Sequence, residues 1–150
     1  MSLLLLSTRA WTCSCFGIAS IDETIASRPI LVEAQVVSRE EVNSRVYGAQ
    51  VHSVTLRVTR SLKGLVSSDT IIVEQRMCYA SLRPELMKLG HTYVLPLPLV
   101  DEGRYALAGC AHSGMELIEG KLYTFEQASG VQRKLRFYQK YADFQRRFHK

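Results

Sequence analysis

The chain has 150 residues, of which 47% are hydrophobic and 22% charged, values of a single globular domain rather than of a fibrous or disordered chain. Its longest leucine run, Leu3 to Leu6, falls far short of the roughly 20 apolar residues of a membrane-spanning helix. The net charge of +5 is uneven: from Gln132 onward Arg133, Lys134, Arg136, Lys140, Arg146, Arg147 and Lys150 stand against Asp143 alone. Only this tail offers a target to an acidic partner.

Residues 1–12 have two readings, a truncated secretory signal segment or no signal at all, because the apolar run is short for a signal and no basic residue precedes it. Leu3 to Leu6 is apolar, and Ala10 and Thr12 place small residues three and one positions before Cys13, the form of a cleavage site. A single domain, 13–150, follows. Ser20-Ile21-Asp22-Glu23 has capping-box spacing and predicts a short helix over Ile21 to Ser27, stopped by Arg28-Pro29. The period then becomes two. Ile30 to Ser38 is a first strand with Val32, Ala34 and Val36 on one face, and Asn43 to Gly48 is a hairpin tip. His52, Val54, Leu56 and Val58 alternate with Ser53, Thr55, Arg57 and Thr59 as a second strand. Lys63-Gly64 turns the chain, and Thr70 to Gln75 is a third strand. Gly90 precedes a fourth, Thr92 to Leu97, which Pro96 and Pro98 push toward an edge or a rim. Asp101-Glu102-Gly103 turns into a fifth, Tyr105 to Cys110. A second capping box, Ser129 to Gln132, opens a closing helix. On it Phe137, Tyr141, Phe144 and Phe148 form one stripe and the basic residues occupy the other faces. The expected fold is mainly β: a five-stranded Greek-key barrel of the OB kind, with a short N-terminal helix and a C-terminal helix.

The four cysteines are one close pair, Cys13 and Cys15, and two singletons, Cys78 and Cys110. A zinc ribbon needs two close pairs, and a thioredoxin-type site needs two residues between its cysteines. Two disulfides fit instead, and of the three connectivities the one bonding Cys13 to Cys15 demands a strained small ring. The other two stay open. Disulfides imply an oxidising compartment, so the chain reads as secreted and extracellular. His52, His91, His112 and His149 show no pair at ligand spacing, and Glu40-Glu41 and Asp101-Glu102 read as solvated turn charges. No phosphate loop, His-Glu-x-x-His or Gly-x-Ser-x-Gly is present. The chain does not read as an enzyme.

Together these residues resemble the inhibitory N-terminal domain of the tissue inhibitors of metalloproteinases, a netrin-like OB domain. Cys13-Ser14-Cys15 follows a cleavage-like site, and Val37 to Val42 through Val46-Tyr47-Gly48 looks like the family's first hairpin. Leu62-Lys63-Gly64 is similar to its Phe-Lys-Gly turn, and Leu89 to Leu95 to the start of its fourth strand. The resemblance covers about Cys13 to Phe137 and implies the pairs Cys13–Cys78 and Cys15–Cys110. The third usual bridge is absent, and an apolar contact between Ile25 and Leu135 to Phe137 is expected in its place. The chain departs from the family at Phe16-Gly17-Ile18-Ala19-Ser20, where a Pro and then His-Pro-Gln are usual, and at Tyr79, where Gly is usual.

The family likeness implies a mechanism. Once cleavage frees Cys13, its α-amine, with a reference pKa of about 7.7–8.0, and its carbonyl oxygen chelate the catalytic zinc of a target protease. The chelate displaces the water that the protease needs as nucleophile. Ser14 then points into the specificity pocket, and Cys15, Phe16, Met77, Cys78 and Tyr79 form a contact ridge. The expected partners are zinc metalloproteinases, with no cofactor or metal of the chain's own. Anionic polysaccharide or extracellular matrix is a further partner expected on the basic C-terminal helix. Nucleic acid is not expected. An extracellular OB module without inhibitory activity and a polyanion- or nucleic-acid-binding OB protein are the competing classes.

Overall fold

Ser20 starts the described chain's first helix by closing a reciprocal cap. Its hydroxyl accepts from the Glu23 backbone N–H at 3.2 Å, and the Glu23 carboxylate accepts from the Ser20 N–H at 2.8 Å. The computed structural model describes residues 17–43, 50–74, 82–98, 103–107, 111–126 and 134–149. Helix α1 runs over Ile21–Ser27 and ends at Arg28, which precedes Pro29 and is extended. Eight strands follow among the described residues: β1 Ile30–Asn43, β2 Gln50–Lys63, β3 Thr70–Glu74, β4 Thr92–Leu97, β5 Arg104–Ala106, β6 Met115–Ile118, β7 Lys121–Phe125 and β8 Leu135–Lys140. A 3-10 turn occupies Pro84–Leu86, and helix α2 closes the chain at Tyr141–Arg146.

All eight strands belong to one sheet in the order β5-β3-β2-β1-β4-β6-β7-β8. The protein is therefore mainly β, one sheet with two helices. The expectation of five strands is corrected to eight, and no pairing among the described residues joins the two ends of the sheet. Two features hid the extra strands. Glu119 and Gly120 form the β6–β7 turn with φ of 49° and 73°, the left-handed pair of a tight hairpin that Asn-Gly usually announces. Leu135–Lys140 pairs with β7 instead of forming the start of a long helix. The extra residue of a bulge between Leu122 and Tyr123 accommodates Tyr138 there. Phe137 is consequently a strand residue, 54% exposed, while Tyr141 and Phe144 belong to α2. The second capping box, Ser129 to Gln132, lies outside the described residues.

Three further expectations need adjustment. Strand β4 is interior, between β1 and β6, rather than at an edge. Its proline is tolerated because β6 pairs only with Thr92 to Val94, leaving a neighbour on one side alone beside Pro96. Glu40 and Glu41 continue β1 instead of turning the chain, because β1 runs on to pair Asn43 with Gln50. Asp101 and Glu102 lie outside the described residues.

Each face of the sheet carries its own core. On one face Val32, Ala34 and Val36 meet Val54, Leu56, Ile71, Val73, Tyr93, Leu95 and Phe125, as the alternation in β1 and β2 predicts. On the other, Leu31, Val94, Met115 and Leu122 receive Ile21 and Ile25 from α1 and Phe144 from α2. The two helices thus share one side. Ile25 is held there with Phe144, Tyr138, Tyr141 and Phe148, whereas Leu135 packs into the opposite core. Ile25 thus shares an apolar cluster with the C-terminal segment, whose member there is Phe144 and not Leu135.

Candidate functional site

The expected site residues, Cys13, Ser14, Cys15, Phe16, Met77, Cys78 and Tyr79, lie outside the described residues, as does Cys110. What the structure describes is the chain on either side of them. Strands β3 and β5 are parallel, with Glu74 opposite Ala106. Cys78 and Cys110 each follow four residues after that matched pair. Leu82, four residues beyond Cys78, exchanges two hydrogen bonds of 3.0 Å with the buried Ser113 hydroxyl, which accepts from its N–H and donates to its carbonyl. Ala19 forms a parallel bridge with Ala111, and the His112 N–H donates to the Ala19 carbonyl at 2.9 Å. Cys15 stands four residues before Ala19 and Cys110 one before Ala111. In the sequence, Cys15, Cys78 and Cys110 each stand within four residues of this one stitched patch. Gly114 completes it. A Cβ there would stand 2.7 Å from Leu82 Cδ2 and 2.8 Å from Leu95 Cδ2, so the missing side chain lets the segments close together.

Helix α1 is held at both ends by side chains from distant strands and from α2. Lys63 Nζ donates to the carbonyls of Ile25 at 3.0 Å and Arg28 at 2.6 Å, capping the helix's C-terminal end with a cation. At its other end the Asp22 carboxylate accepts from Tyr138 at 2.6 Å and from Arg147 at 2.9 Å, and Arg147 also donates to the Tyr138 hydroxyl at 2.8 Å. The Tyr138 hydrogen bond and then the Arg147 guanidinium hold the Asp22 carboxyl below its ordinary value, against the effect of burial. The Arg147 guanidinium lies 5.2 Å from the Phe144 ring centroid and 5.7 Å from that of Phe148. A second bond of this kind runs from the Tyr141 hydroxyl to Glu33, whose other oxygen accepts from Thr59. Burial, followed by that Glu33 acceptor, raises the Tyr141 pKa.

Sequence reading did not find the Asp22–Tyr138–Arg147 group, in which Asp22 stands more than a hundred residues from its two partners along the chain, nor the 2.5 Å hydrogen bond between His91 and the fully buried Glu116. A polar residue inside the Met115–Ile118 strand is the only signal that pointed to the latter. Among the described residues no three His, Cys, Asp or Glu side chains are grouped to hold a metal ion. The basic tail is not one helical face. Arg136 and Lys140 are in β8, Lys134 pairs with Glu126 at 2.9 Å and Arg146 pairs with Asp143 at 3.2 Å. No protein-family model matches the chain, and no curated protein does.

Proposed function

We propose that the chain is a secreted inhibitor of zinc metalloendopeptidases, acting by binding and catalysing nothing itself. In this reading Cys13 is the mature N-terminus, and its amine and carbonyl occupy the target zinc's exchangeable position. Disulfides Cys13–Cys78 and Cys15–Cys110 hold the chelating residue rigid, so little freedom is lost on docking. Ser14 enters the specificity pocket, and Cys15, Phe16, Met77, Cys78 and Tyr79 make the ridge.

The observation that carries this reading is the convergence of the chain beside the cysteines. Cys13 and Cys15 stand two positions apart in the sequence, and β3 and β5 run side by side, each ending four residues before a cysteine, Cys78 or Cys110. Two bridges from one short segment to two neighbouring strands suit that layout. The finer fold assignment has support of the same kind. The order β4-β1-β2-β3, with β4 returning beside β1 after a long connection, is that of a Greek key, and the parallel strand β5 suits an OB-type barrel.

The test is N-terminal sequencing of the secreted protein, its mass before and after reduction, and inhibition of a panel of zinc endopeptidases. A chain beginning at Cys13 with two disulfides, inhibitory as purified and inactive with one alanine added ahead of Cys13, is the expected result. A mature chain beginning upstream of Cys13, or one that slows no zinc peptidase, overturns it.

A further inference from the structure

Two strands end the sheet among the described residues, and they end it differently. β5 has only three residues, a short edge of the kind that discourages further pairing. β8 has six, Leu135–Lys140, and its outer side is open. The Glu126 N–H donates to the Lys134 carbonyl at 2.8 Å, and Thr124 opposite Arg136 continues that register. Hydrogen-bonded pairs in an antiparallel ladder alternate with pairs whose N–H and C=O point away from each other. The N–H and C=O of Leu135 and Phe137 therefore point outward from β7, and no bond among the described residues takes them. The Phe137 ring beside them is 54% exposed. The charge along this edge has one sign. Arg136 and Lys140 are exposed, neither is in an ion pair among the described residues, and β8 itself holds no acid. Glu126, just past the end of β7, is bound to Lys134 at 2.9 Å. Lys140 also faces Lys121 across the ladder, an arrangement in which like charges are destabilising.

We infer that β8 is a docking edge for an extended acidic segment of another protein, which adds to the sheet as a strand beside Leu135–Lys140. The main chain of that segment takes the outward N–H and C=O of Leu135 and Phe137. An apolar side chain covers the Phe137 ring, and acids stand opposite Arg136 and Lys140, where opposite charges across a ladder are favourable. The cations also select the partner. A second copy of this chain would bring Arg136 and Lys140 against their own counterparts, so the residues that keep two such edges apart are the ones that receive an acidic strand. A polyanion with no peptide backbone would use the charges and leave the Leu135 and Phe137 groups unpaired. Neither the Cys13 amine nor zinc enters this inference.

The experiment uses the full chain and a capped synthetic peptide, Thr-Glu-Thr-Thr-Val-Glu-Thr. In an antiparallel pairing its order puts Val opposite Phe137 and the two Glu opposite Arg136 and Lys140. Amide exchange at Leu135 and Phe137 is expected to slow when the peptide is added, while β1 is unaffected. Methylating the Val nitrogen of the peptide, which removes its bond to the Phe137 carbonyl, is expected to weaken binding about fivefold, the scale of one hydrogen bond. Methylating the nitrogen of the following Glu, which points away from β8, is expected to change affinity less than about twofold. Arg136→Gln together with Lys140→Gln is expected to weaken binding about tenfold at low salt, and thermal unfolding shows that this variant keeps its fold. Four results would each overturn the inference: equal losses for the two methylated peptides, equal binding of a peptide with Lys in place of both Glu, unchanged exchange at Leu135 and Phe137, or self-association of the protein that Phe137→Asp abolishes. The last would assign the edge to a second copy, and unchanged exchange with charge-dependent binding would assign it to polyanions.

Discussion

Gly64 and Lys63 illustrate how much one turn can decide. Gly64 has φ of +66°, and a Cβ there would lie 2.5 Å from the Pro29 carbonyl oxygen. Gly64→Ala is therefore expected to cost about 2–4 kcal/mol, from left-handed strain and the clash together, read as a lower denaturation midpoint. Lys63→Met removes the cation that serves the last carbonyls of α1, at a cost of about 1–2 kcal/mol. Glu119 works in the other direction. It is the only described non-glycine residue with positive φ, so Glu119→Asn is expected to stabilise the β6–β7 hairpin by about 0.5–1 kcal/mol. An unchanged or lower midpoint would show that the turn is not strained.

At the scale of elements, the two helices stand or fall together. Ile25 and Phe144 share one buried cluster, so Ile25→Ala is expected to cost about 2–4 kcal/mol. Amide exchange in α2 should accelerate while β2 and β3 remain protected. The Asp22 link adds a pH dependence. Its folded pKa is lowered, so its stabilisation is present above the unfolded carboxylate value of about 3.9 and is lost as the pH falls through the lower folded value. Asp22 is 59% exposed, which limits the contribution to about 0–1 kcal/mol. The melting-point gap between the protein and Asp22→Asn should narrow as the pH falls below about 3.9. Much of this layer was legible from residues alone. Ser20 and Glu23 marked α1 at its true bounds, and the alternation Val54-Leu56 marked β2, because both signals are local. The β6–β8 region was not. Glu119 is an unusual residue for a hairpin turn, and Phe137, Tyr141, Phe144 and Phe148 have helical spacing although a strand bulge at Tyr138 sets Phe137 apart from the rest. As for the candidate site, residue types and order were visible in the cysteines. The bonds that gather their neighbours, Ala19 to Ala111 and Leu82 to Ser113, join segments too distant in sequence for any local pattern to reveal.

At the scale of the molecule, one sheet separates a core drawn mostly from strand residues from a second core closed by the helices α1 and α2. The linkage proposed for the cysteines is the one that the family resemblance implies. Proteolysis under non-reducing conditions should release Cys13 joined to Cys78 and Cys15 joined to Cys110, identified by mass spectrometry. A Cys78–Cys110 peptide would show that the neighbouring strands bridge each other instead.

Asp22 and Arg147 touch at 2.9 Å although 125 positions separate them. Residues 17 and 149 stand five and two positions outside that contact, so a flexible linker is expected to splice them with the backbone reopened at the exposed Ser67-Ser68 bend, a circular permutant in which every described strand keeps its neighbours. Such a rearranged polypeptide would fold yet begin with a serine, uncoupling the architecture from any chemistry that depends on which residue comes first.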